Sequence, residues 1–341
     1  MGKIASRFGP YGFVVGAAAL LLILSGFSPI EAFDILIRSS WGSPAGLELL
    51  LKKTVPLILT GLAVIIPVRA GLFNIGGEGQ LYLGGICAAI VGALNLGVPR
   101  CPHILLAVGA GVCAGAAWGG FAGYLRAKRG VHEVISTILL NFIALYLVNY
   151  LALGPLSAGE GVGRTAFIRP TAELWMIPFA ENAVISFGFF ISIACALLCH
   201  GLLYRTGIGW STRALGENPT AAQYGGISVT AYTIGLMALA GGLAGLAGAL
   251  ETCGIHRSFY ARFGSSYGFD GIAVAFLARA EPWAVIPAAL FLSTLRTADA
   301  DLQFELGIPK ETVLILEGVL IVLIAILHQH ERRKRLEGAV T

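Results

Sequence analysis

Charged residues are scarce in this sequence. Only 12% of its 341 residues are Asp, Glu, Lys or Arg, while 56% are hydrophobic; soluble domains carry about 25% charged residues. A soluble fold with so few charges could not cover its own surface, so the chain must use lipid as its solvent. The net charge of +4 comes without a basic, aromatic-interleaved patch, so we expect no nucleic-acid partner.

Catalytic and metal-binding motifs are also lacking. The six cysteines form no CxxC pair and lie mostly inside apolar runs, which predicts a packing role. The sequence contains no GxxxxGK[ST] phosphate loop and no GxSxG nucleophile elbow. We therefore predict no catalytic residues, no metal site and no cofactor on this chain. No segment is large enough to form a soluble ATP-hydrolysing domain.

Apolar runs, by contrast, are abundant. A helix needs about 20 apolar residues to cross the hydrocarbon layer. The eighth and ninth runs are short and are joined by "RAEP", so they predict a broken or re-entrant pair. The predicted fold class is all-α, a polytopic membrane protein of about ten transmembrane helices. The candidate spans are 11–27, 54–70, 79–97, 103–125, 134–153, 184–204, 229–250, 269–280, 282–297 and 311–328.

Lys and Arg in short loops set the orientation of such a protein. Basic clusters lie at 126–129 and 332–335, and Arg205 and Arg213 mark a third basic loop. Ten spans place all three on the side of the N-terminus, which predicts that both termini are inside. The chain then forms one membrane domain, 1–341, with a long outer connection at 154–183, an inner connection at 205–228, an outer surface helix within 31–52 and a basic cytoplasmic tail at 329–341.

Glycine is placed in a helical pattern. Gly111, Gly115, Gly119 and Gly123 recur every four residues in the fourth span, and Gly241 begins a similar series in the seventh. Small residues at this interval let two helix backbones approach closely. The pattern favours static packing, and the alternative is that these faces slide during transport.

Polar residues interrupt the apolar region 54–97 in the stretch "RAGLFNIGGEGQLYLGG". This region is long enough for two spans, and its Gly-rich break carries Asn74, Glu78 and Gln80. Backbone at membrane depth must be satisfied by protein or water, and discontinuous helices are typical of substrate sites in transporters. Two interpretations stay open: Asn74 and Glu78 complement a helix N-terminus, or they line a path.

A second polar break, "GFDGIAVAF", carries Asp270 and resembles the first loosely. One break lies in each half of the chain, which hints at two half-sites facing a central path. Glu317 lies midway in the tenth span, where a carboxylate predicts a cavity or a paired group. Phe73 and other aromatic residues near the breaks are suited to stacking on a base.

The inner connection has the signature of a short helix. Asn218 and Pro219 form a start signal, which predicts a helix over Thr220–Tyr224 that ends at Gly225-Gly226. Such a helix between two spans is suited to docking a soluble partner. The alternative is an ordinary solvated loop.

These motifs together resemble a known family. "KKTVPLILTGLAVIIPVRAGLFNIGGEGQLYLGG", "RGVHEVISTILLNFIALYLVNYL", "RALGENPTAAQYGGI" and "YGFDGIAVAFLARAEP" are similar to the branched-chain amino acid, ribose and simple-sugar class of bacterial permeases in ATP-binding cassette (ABC) importers. Within that class the match is nearest to nucleoside permeases served by lipoproteins of the basic membrane protein type. The resemblance covers roughly 45–328.

The resemblance implies a non-enzymatic conduit for nucleosides or simple sugars in the bacterial inner membrane. It also implies four kinds of partner: membrane lipid, a second related permease, two ATPase subunits (or one fused double ATPase) that use ATP, and an extracytoplasmic solute-binding lipoprotein. The path residues implied or predicted are Phe73, Asn74, Glu78, Gln80, Glu133, Asn141 and Asp270. The residues expected to contact the ATPase are Arg213, Gly216, Glu217, Asn218, Pro219 and Ala222.

The sequence departs from the family pattern in its second half. It reads "LARAEP" where the family resembles "LGRNNP", so Glu281 replaces an amide, and Glu317 also stands where an amide is usual. A separate alternative prediction is an ion-coupled carrier that uses Glu78, Asp270 and Glu317 as proton or sodium sites and would not require a docking loop. A membrane enzyme ranks last, because no His, Asp or Ser set is clustered at one membrane face.

Overall fold

The computed structural model describes residues 19–159, 163–260 and 266–309, together with 16, 311–315, 318–319 and 322–323. This part of the chain is mainly helical. It also contains two strands, β1 Met176–Ala180 and β2 Ala183–Ser186, a 3-10 turn Pro170–Ala172 and a π-helical turn Thr252–His256. The α-helices are α1 Pro29–Trp41, α2 Pro44–Val68, α3 Gly77–Ala93, α4 Arg100–Arg129, α5 Glu133–Leu153, α6 Phe187–Arg205, α7 Gly207–Glu217, α8 Pro219–Tyr224, α9 Val229–Glu251, α10 Tyr267–Leu277 and α11 Val285–Leu306.

Five of the described helices are long and apolar enough to cross a membrane: α2, α4, α5, α6 and α9 with its π-helical extension. Helix α3 overlaps the third candidate span and has 17 residues, and α10 overlaps the eighth and has only 11, so the eighth is short as predicted. The prediction that the ninth is also short was wrong, because α11 has 22 residues. The spans 11–27 and 311–328 and the tail 329–341 lie wholly or partly outside the described residues. The structure thus supports a multi-pass membrane protein, while the count of ten and the orientation stay predictions.

Burial on α5 is the reverse of the pattern in a soluble protein. Its polar residues Glu133, Thr137 and Asn141 are buried, while Leu139 and Tyr146 on the other face are exposed. In water such a helix would place its polar groups outward. Since lipid replaces water around a membrane helix, the exposed apolar face of α5 is in contact with lipid, which is a favourable environment for it.

Two units are distinguishable within the chain: 1–50 with 290–341, and 51–289. In the first, α1 begins at the N-cap Ser28 with Pro29 in its first turn. Its buried Ala32 and Ile35 belong to one core cluster with Leu302. A helix in the range 31–52 is therefore present, displaced toward the N-terminus, and α2 starts ten residues before the predicted second span.

Glycine organises the second unit, where α4 and α9 cross with their backbones in contact. A Cβ atom added at Gly115 would lie 2.2 Å from the carbonyl oxygen of Gly241, and one at Gly241 would lie 2.2 Å from that of Gly115. Helix α3 joins the same seam, because a Cβ at Gly248 would lie 2.0 Å from the Leu81 carbonyl oxygen. Any side chain would separate these helices, so the four-residue glycine pattern serves close packing.

The connection 154–183, which is predicted to lie outside, differs from the predicted all-helical fold. Residues 176–186 form an antiparallel hairpin, β1 with β2, whose register shifts between Pro178 and Ala180. Proline is tolerated here because a two-stranded hairpin consists of edges only. Asn182 takes φ 62° at the turn, a left-handed conformation that asparagine adopts readily. The prolines and glycines of 154–183 predicted a loop and concealed the hairpin.

Candidate translocation site at a junction of helix ends

The first polar break stabilises itself through two amide side chains. The chain leaves α2 after Val68 and starts α3 at Gly77. Asn74 donates from Nδ2 to Gln80 Oε1 at 3.0 Å, and Gln80 Nε2 donates back to Asn74 Oδ1 at 3.1 Å. Asn74 also accepts from the Gly76 amide at 3.0 Å and donates to the Ala63 carbonyl at 3.3 Å. Both amides are buried, and they satisfy the irregular backbone as a membrane interior requires.

Asn141 caps the start of α3 from a neighbouring helix. Its Oδ1 accepts from the Gly79 amide at 2.8 Å, and its Nδ2 donates to the Ile75 carbonyl at 2.8 Å. The N-cap residue Gly76 offers no side chain, so a long-range amide takes the role usually filled by a local one. Asn74 therefore contributes to this helix N-terminus by binding the Gly76 amide, while the amide in the first turn is bound by Asn141.

Glu78 joins the two polar breaks. Its Oε2 accepts from the Gly268 amide at 2.7 Å, so a carboxylate in the first turn of α3 meets the first turn of α10. The backbones also touch, because a Cβ atom at Gly268 would lie 2.1 Å from the Glu78 nitrogen. Two helix N-termini thus converge on one acidic side chain, an arrangement that stabilises negative charge. Tyr82, one turn further along α3, hydrogen-bonds the same carboxylate.

The other predicted path residues lie around this junction in different ways. Asp270 is partly buried in the first turn of α10. Glu133 starts α5, and its Oε2 lies 3.1 Å from Arg126 Nε, so it pairs at the corner between α4 and α5. Phe73 packs against Phe276 with ring centres 6.3 Å apart. Thus Asn74, Glu78, Gln80 and Asn141 form one hydrogen-bonded junction, whereas Glu133 pairs with Arg126.

A small cavity lies beside Phe73, the residue before Asn74. It has a volume of about 110 Å³ and is apolar apart from one arginine. Helix α2 and Phe73 form one wall, and the end of α10 with the turn after it forms the other. The lining residues are Val64, Val68, Phe73, Ala275, Phe276, Arg279 and Ala280.

The connection 205–228, which is predicted to lie inside, is more helical than the sequence indicates. Residues 207–217, which the sequence predicts as part of a loop, form α7, whose N-cap Thr206 accepts from the Gly209 amide at 3.1 Å. The predicted short helix is present as α8, with Pro219 in its first turn. Asn218 Oδ1 caps it by accepting from two backbone amides at 3.0 Å each. Of the predicted contact residues, Ala222 is buried and Gly216, Glu217, Asn218 and Pro219 are exposed.

Sequence reasoning missed a polar cluster at the end of α2. Arg69 pairs with Glu281 and donates from Nε to the Ala280 carbonyl at 2.8 Å. The Tyr204 hydroxyl lies 2.8 Å from both oxygens of the Glu281 carboxylate. The only signal in the sequence was Glu281, noted as a departure in "LARAEP". In the described part of the chain, no group of three His, Cys, Asp or Glu residues could hold a metal ion.

The fold and this junction define a class: a multi-pass membrane protein with interrupted helices that meet at a buried polar site. Residues 46–325 match the family described as branched-chain amino acid transport system / permease component, and the chain belongs to this family. The family resemblance of the sequence motifs is thereby confirmed.

The chain is similar to several proteins whose names state a transported solute. The chain is 35% identical over 318 residues to the guanosine ABC transporter permease protein NupP of Bacillus subtilis, covering 91% of this chain and 90% of the relative. It is 33% identical over 318 residues to the glucose ABC transporter permease protein TsgB13 of Haloferax volcanii, covering 90% and 82%. A second guanosine ABC transporter permease protein of Bacillus subtilis, NupQ, is 26% identical over 255 residues, covering 69% and 76%.

Proposed function

We propose that this protein is the permease subunit of an ATP-driven importer that moves nucleosides, or related small polar solutes such as simple sugars, across the bacterial inner membrane. The observation that carries the proposal is the family match over 46–325, together with relatives named for guanosine and glucose. Energy comes from ATP hydrolysed on separate subunits. The ion-coupled alternative, with Glu78, Asp270 and Glu317, is disfavoured by membership in a family of permease components.

Partners follow from the same reasoning. Bacillus subtilis has two guanosine ABC transporter permease proteins that match this chain, which supports pairing with a second, related permease. Two ATPase subunits, or one fused double ATPase, would dock from inside, and an extracytoplasmic lipoprotein would deliver the solute. About ten spans with both termini inside would place 205–228 on the ATPase side.

The junction is proposed to hold the translocation path in shape rather than to coordinate solute directly. Asn74, Glu78, Gln80 and Asn141 are buried and bound to each other or to helix ends. Fixed half-helix ends next to a cavity are the usual construction of a transporter site. The solute would then meet the less buried residues, Phe73 and Asp270, as the path opens, while Glu133 stabilises the inner corner.

The segment Arg213–Ala222 is proposed to receive the ATPase. Helix α8 is exposed except at Ala222. Its exposed side chains therefore form a rigid surface of about one and a half turns that a partner can contact. Helix α7 ends at Glu217 and is packed at Gly216, where a Cβ atom would lie 2.3 Å from the Arg69 carbonyl oxygen. A push on this segment would therefore reach the end of α2 directly.

The test is transport by the complex purified through a tag on this chain and reconstituted in vesicles. Uptake of labelled guanosine or glucose should require ATP, and uptake that persists without ATP would reject the proposal. Glu217→Ala should reduce uptake by about tenfold, within the usual range of coupling between sites, while ATP hydrolysis continues. Glu181→Ala, at an exposed position of the hairpin turn, is the matched control and should transport normally.

A further inference from the structure

Three side chains from separate elements meet beyond the end of α2. Arg69 binds both the Ala280 carbonyl, at 2.8 Å, and the carboxylate of Glu281. Tyr204, at the end of α6, places its hydroxyl 2.8 Å from each oxygen of that carboxylate. The Arg69 and Glu281 side chains are 25% and 34% exposed, so the pair is shielded more than an ordinary surface ion pair, which contributes little.

The same cluster reaches the segment proposed to dock the ATPase. The Arg213 guanidinium of α7 lies 5.2 Å from the centre of the Tyr204 ring, and the Arg69 guanidinium lies 5.8 Å from it. These are cation–π distances. The backbone adds a second contact, because Gly216 packs against the Arg69 carbonyl with no room for a side chain. Helix α7 thus touches the cluster at two positions, one turn apart.

On its other side the cluster holds a strained turn. Arg279 and Ala280 take φ values of 57° and 53°, a left-handed conformation that is unfavourable for residues other than glycine and asparagine. Two such residues in succession persist only where the surroundings impose them. The bond from Arg69 to the Ala280 carbonyl and the pair with Glu281 supply that constraint immediately after α10 ends.

Helix α10 is therefore held at both ends. Its first turn is bound through the Gly268 amide to Glu78, and its last residue precedes the turn bound to Arg69. Arg279 and Ala280 also line the cavity beside Phe73. A displacement of the turn would change the cavity wall and would pull on the junction at the opposite end of α10.

We propose that Arg69, Tyr204 and Glu281 are positioning residues that transmit movement of the docking segment to α10. This inference rests on the proposed function, since it assumes that an ATPase moves α7 and α8. The mechanical chain runs from Arg213 and Gly216 to the Arg69 cluster, then through the strained turn to α10 and the cavity. Chains of packed side chains, hydrogen bonds and ion pairs carry such coupling between sites, and the links here are a hydrogen bond, an ion pair, cation–π contacts, a backbone contact and helix α10 itself.

The experiment measures solute taken up per ATP hydrolysed by the complex in vesicles, with labelled guanosine and glucose assayed in parallel. Glu281→Gln removes the charge and keeps the size, and Tyr204→Phe removes only the hydroxyl. Both should lower the ratio by at least about fivefold, the low end of coupling between sites, while the ATPase still co-purifies. Glu173→Gln is the control, since it weakens another Arg–Glu pair, with Arg257 at 3.4 Å, and should leave the ratio unchanged.

The outcomes separate this inference from the proposed function. Wild-type vesicles without ATP-dependent uptake would overturn the proposed function itself. Wild-type uptake with an unchanged ratio in both variants would overturn only the relay. A purely structural role would lower uptake and hydrolysis together and leave the ratio constant, which also overturns it. If Glu281→Gln does not assemble, Tyr204→Phe decides, because it retains the ring beside both guanidinium groups.

Discussion

At the scale of single residues, the notable feature is how the buried carboxylate of Glu78 is accommodated. A charge at membrane depth is costly unless it is paired or hydrogen-bonded. The Glu78 carboxylate accepts a hydrogen bond from the Gly268 amide, and Tyr82 is bound to the same group. Helix N-termini supply the compensating positive potential. Asn141 likewise uses both the oxygen and the nitrogen of its side-chain amide to bind backbone groups of the first break.

Gly268→Ala tests this junction. The new Cβ atom would lie 2.1 Å from the Glu78 nitrogen, so α10 must move away and the 2.7 Å bond to Glu78 must lengthen. We expect a loss of about 1–3 kcal/mol in the free energy of unfolding, the usual cost of overpacking, and a loss of uptake. Thermal unfolding in detergent and vesicle uptake are the measurements.

Gly235→Ala is the matched control for that substitution. Gly235 lies in α9 with no atom within 4 Å of an added Cβ, and alanine is the better helix former. It should be at least as stable as the wild type. Equal behaviour of the two variants would show that the α3–α10 contact is not tight in the membrane.

At the scale of helices, backbone contact replaces side-chain packing between α4 and α9. Apolar surface gains little by leaving lipid for another apolar surface, so helices associate where small residues allow many close atomic contacts. Gly111, Gly115 and Gly119 each lie against a carbonyl oxygen or backbone atom of a neighbouring helix. This supports the interpretation of the glycine pattern as close packing; movement along the seam stays a prediction.

Gly115→Ala and Gly109→Ala compare two glycines of the same helix. A Cβ atom at Gly115 would lie 2.2 Å from the Gly241 carbonyl oxygen, whereas one at Gly109 meets nothing within 4 Å. Gly115→Ala should lower the free energy of unfolding by about 1–3 kcal/mol. Gly109→Ala should raise it by up to about 1 kcal/mol, since alanine favours the helix. Opposite signs in thermal unfolding are the diagnostic result, and a neutral Gly115→Ala would contradict the seam.

At the scale of the whole molecule, orientation decides whether the docking segment can meet an intracellular ATPase. Glu217 at the end of α7 and Glu181 in the hairpin turn are both exposed, and the proposed topology puts them on opposite sides of the membrane. The basic residues Arg126, Lys128 and Arg129 at the end of α4 agree with an inner location for that end under the positive-inside rule.

Cysteine labelling tests that orientation in intact cells. In a background lacking the six native cysteines, Glu181→Cys should react with a membrane-impermeant maleimide, and Glu217→Cys should react only after the membrane is opened. Reaction of Glu217→Cys in intact cells would show that the topology is the reverse of the proposed one, and it would contradict the docking proposal. Ser40→Cys, a buried position, serves as the unreactive control.

Much of the architecture was predictable from local sequence. The break between α2 and α3, the short α10 and the helix α8 were each indicated by residues within one segment. Helix α7 was not predicted because its Gly and Thr residues indicate a loop. In the structure its first turn packs closely on the end of α6, where a Cβ added at Gly209 would lie 2.1 Å from the Leu202 carbonyl oxygen. The hairpin was concealed in the same way by proline.

The sequence alone determined three things: that this is a membrane protein, at which residues its helices are interrupted, and to which family it belongs. Hydropathy, turn residues and motifs are local properties, so they can be recognised without the fold. Only the tertiary structure decided that the two breaks meet at Glu78 and Gly268, 190 residues apart, and that Asn141 caps a helix 62 residues away. The cluster of Arg69, Tyr204 and Glu281 likewise became visible only in the fold. Partners so distant leave no periodic signal, because the free energy of a buried hydrogen bond depends on where folding places its two groups.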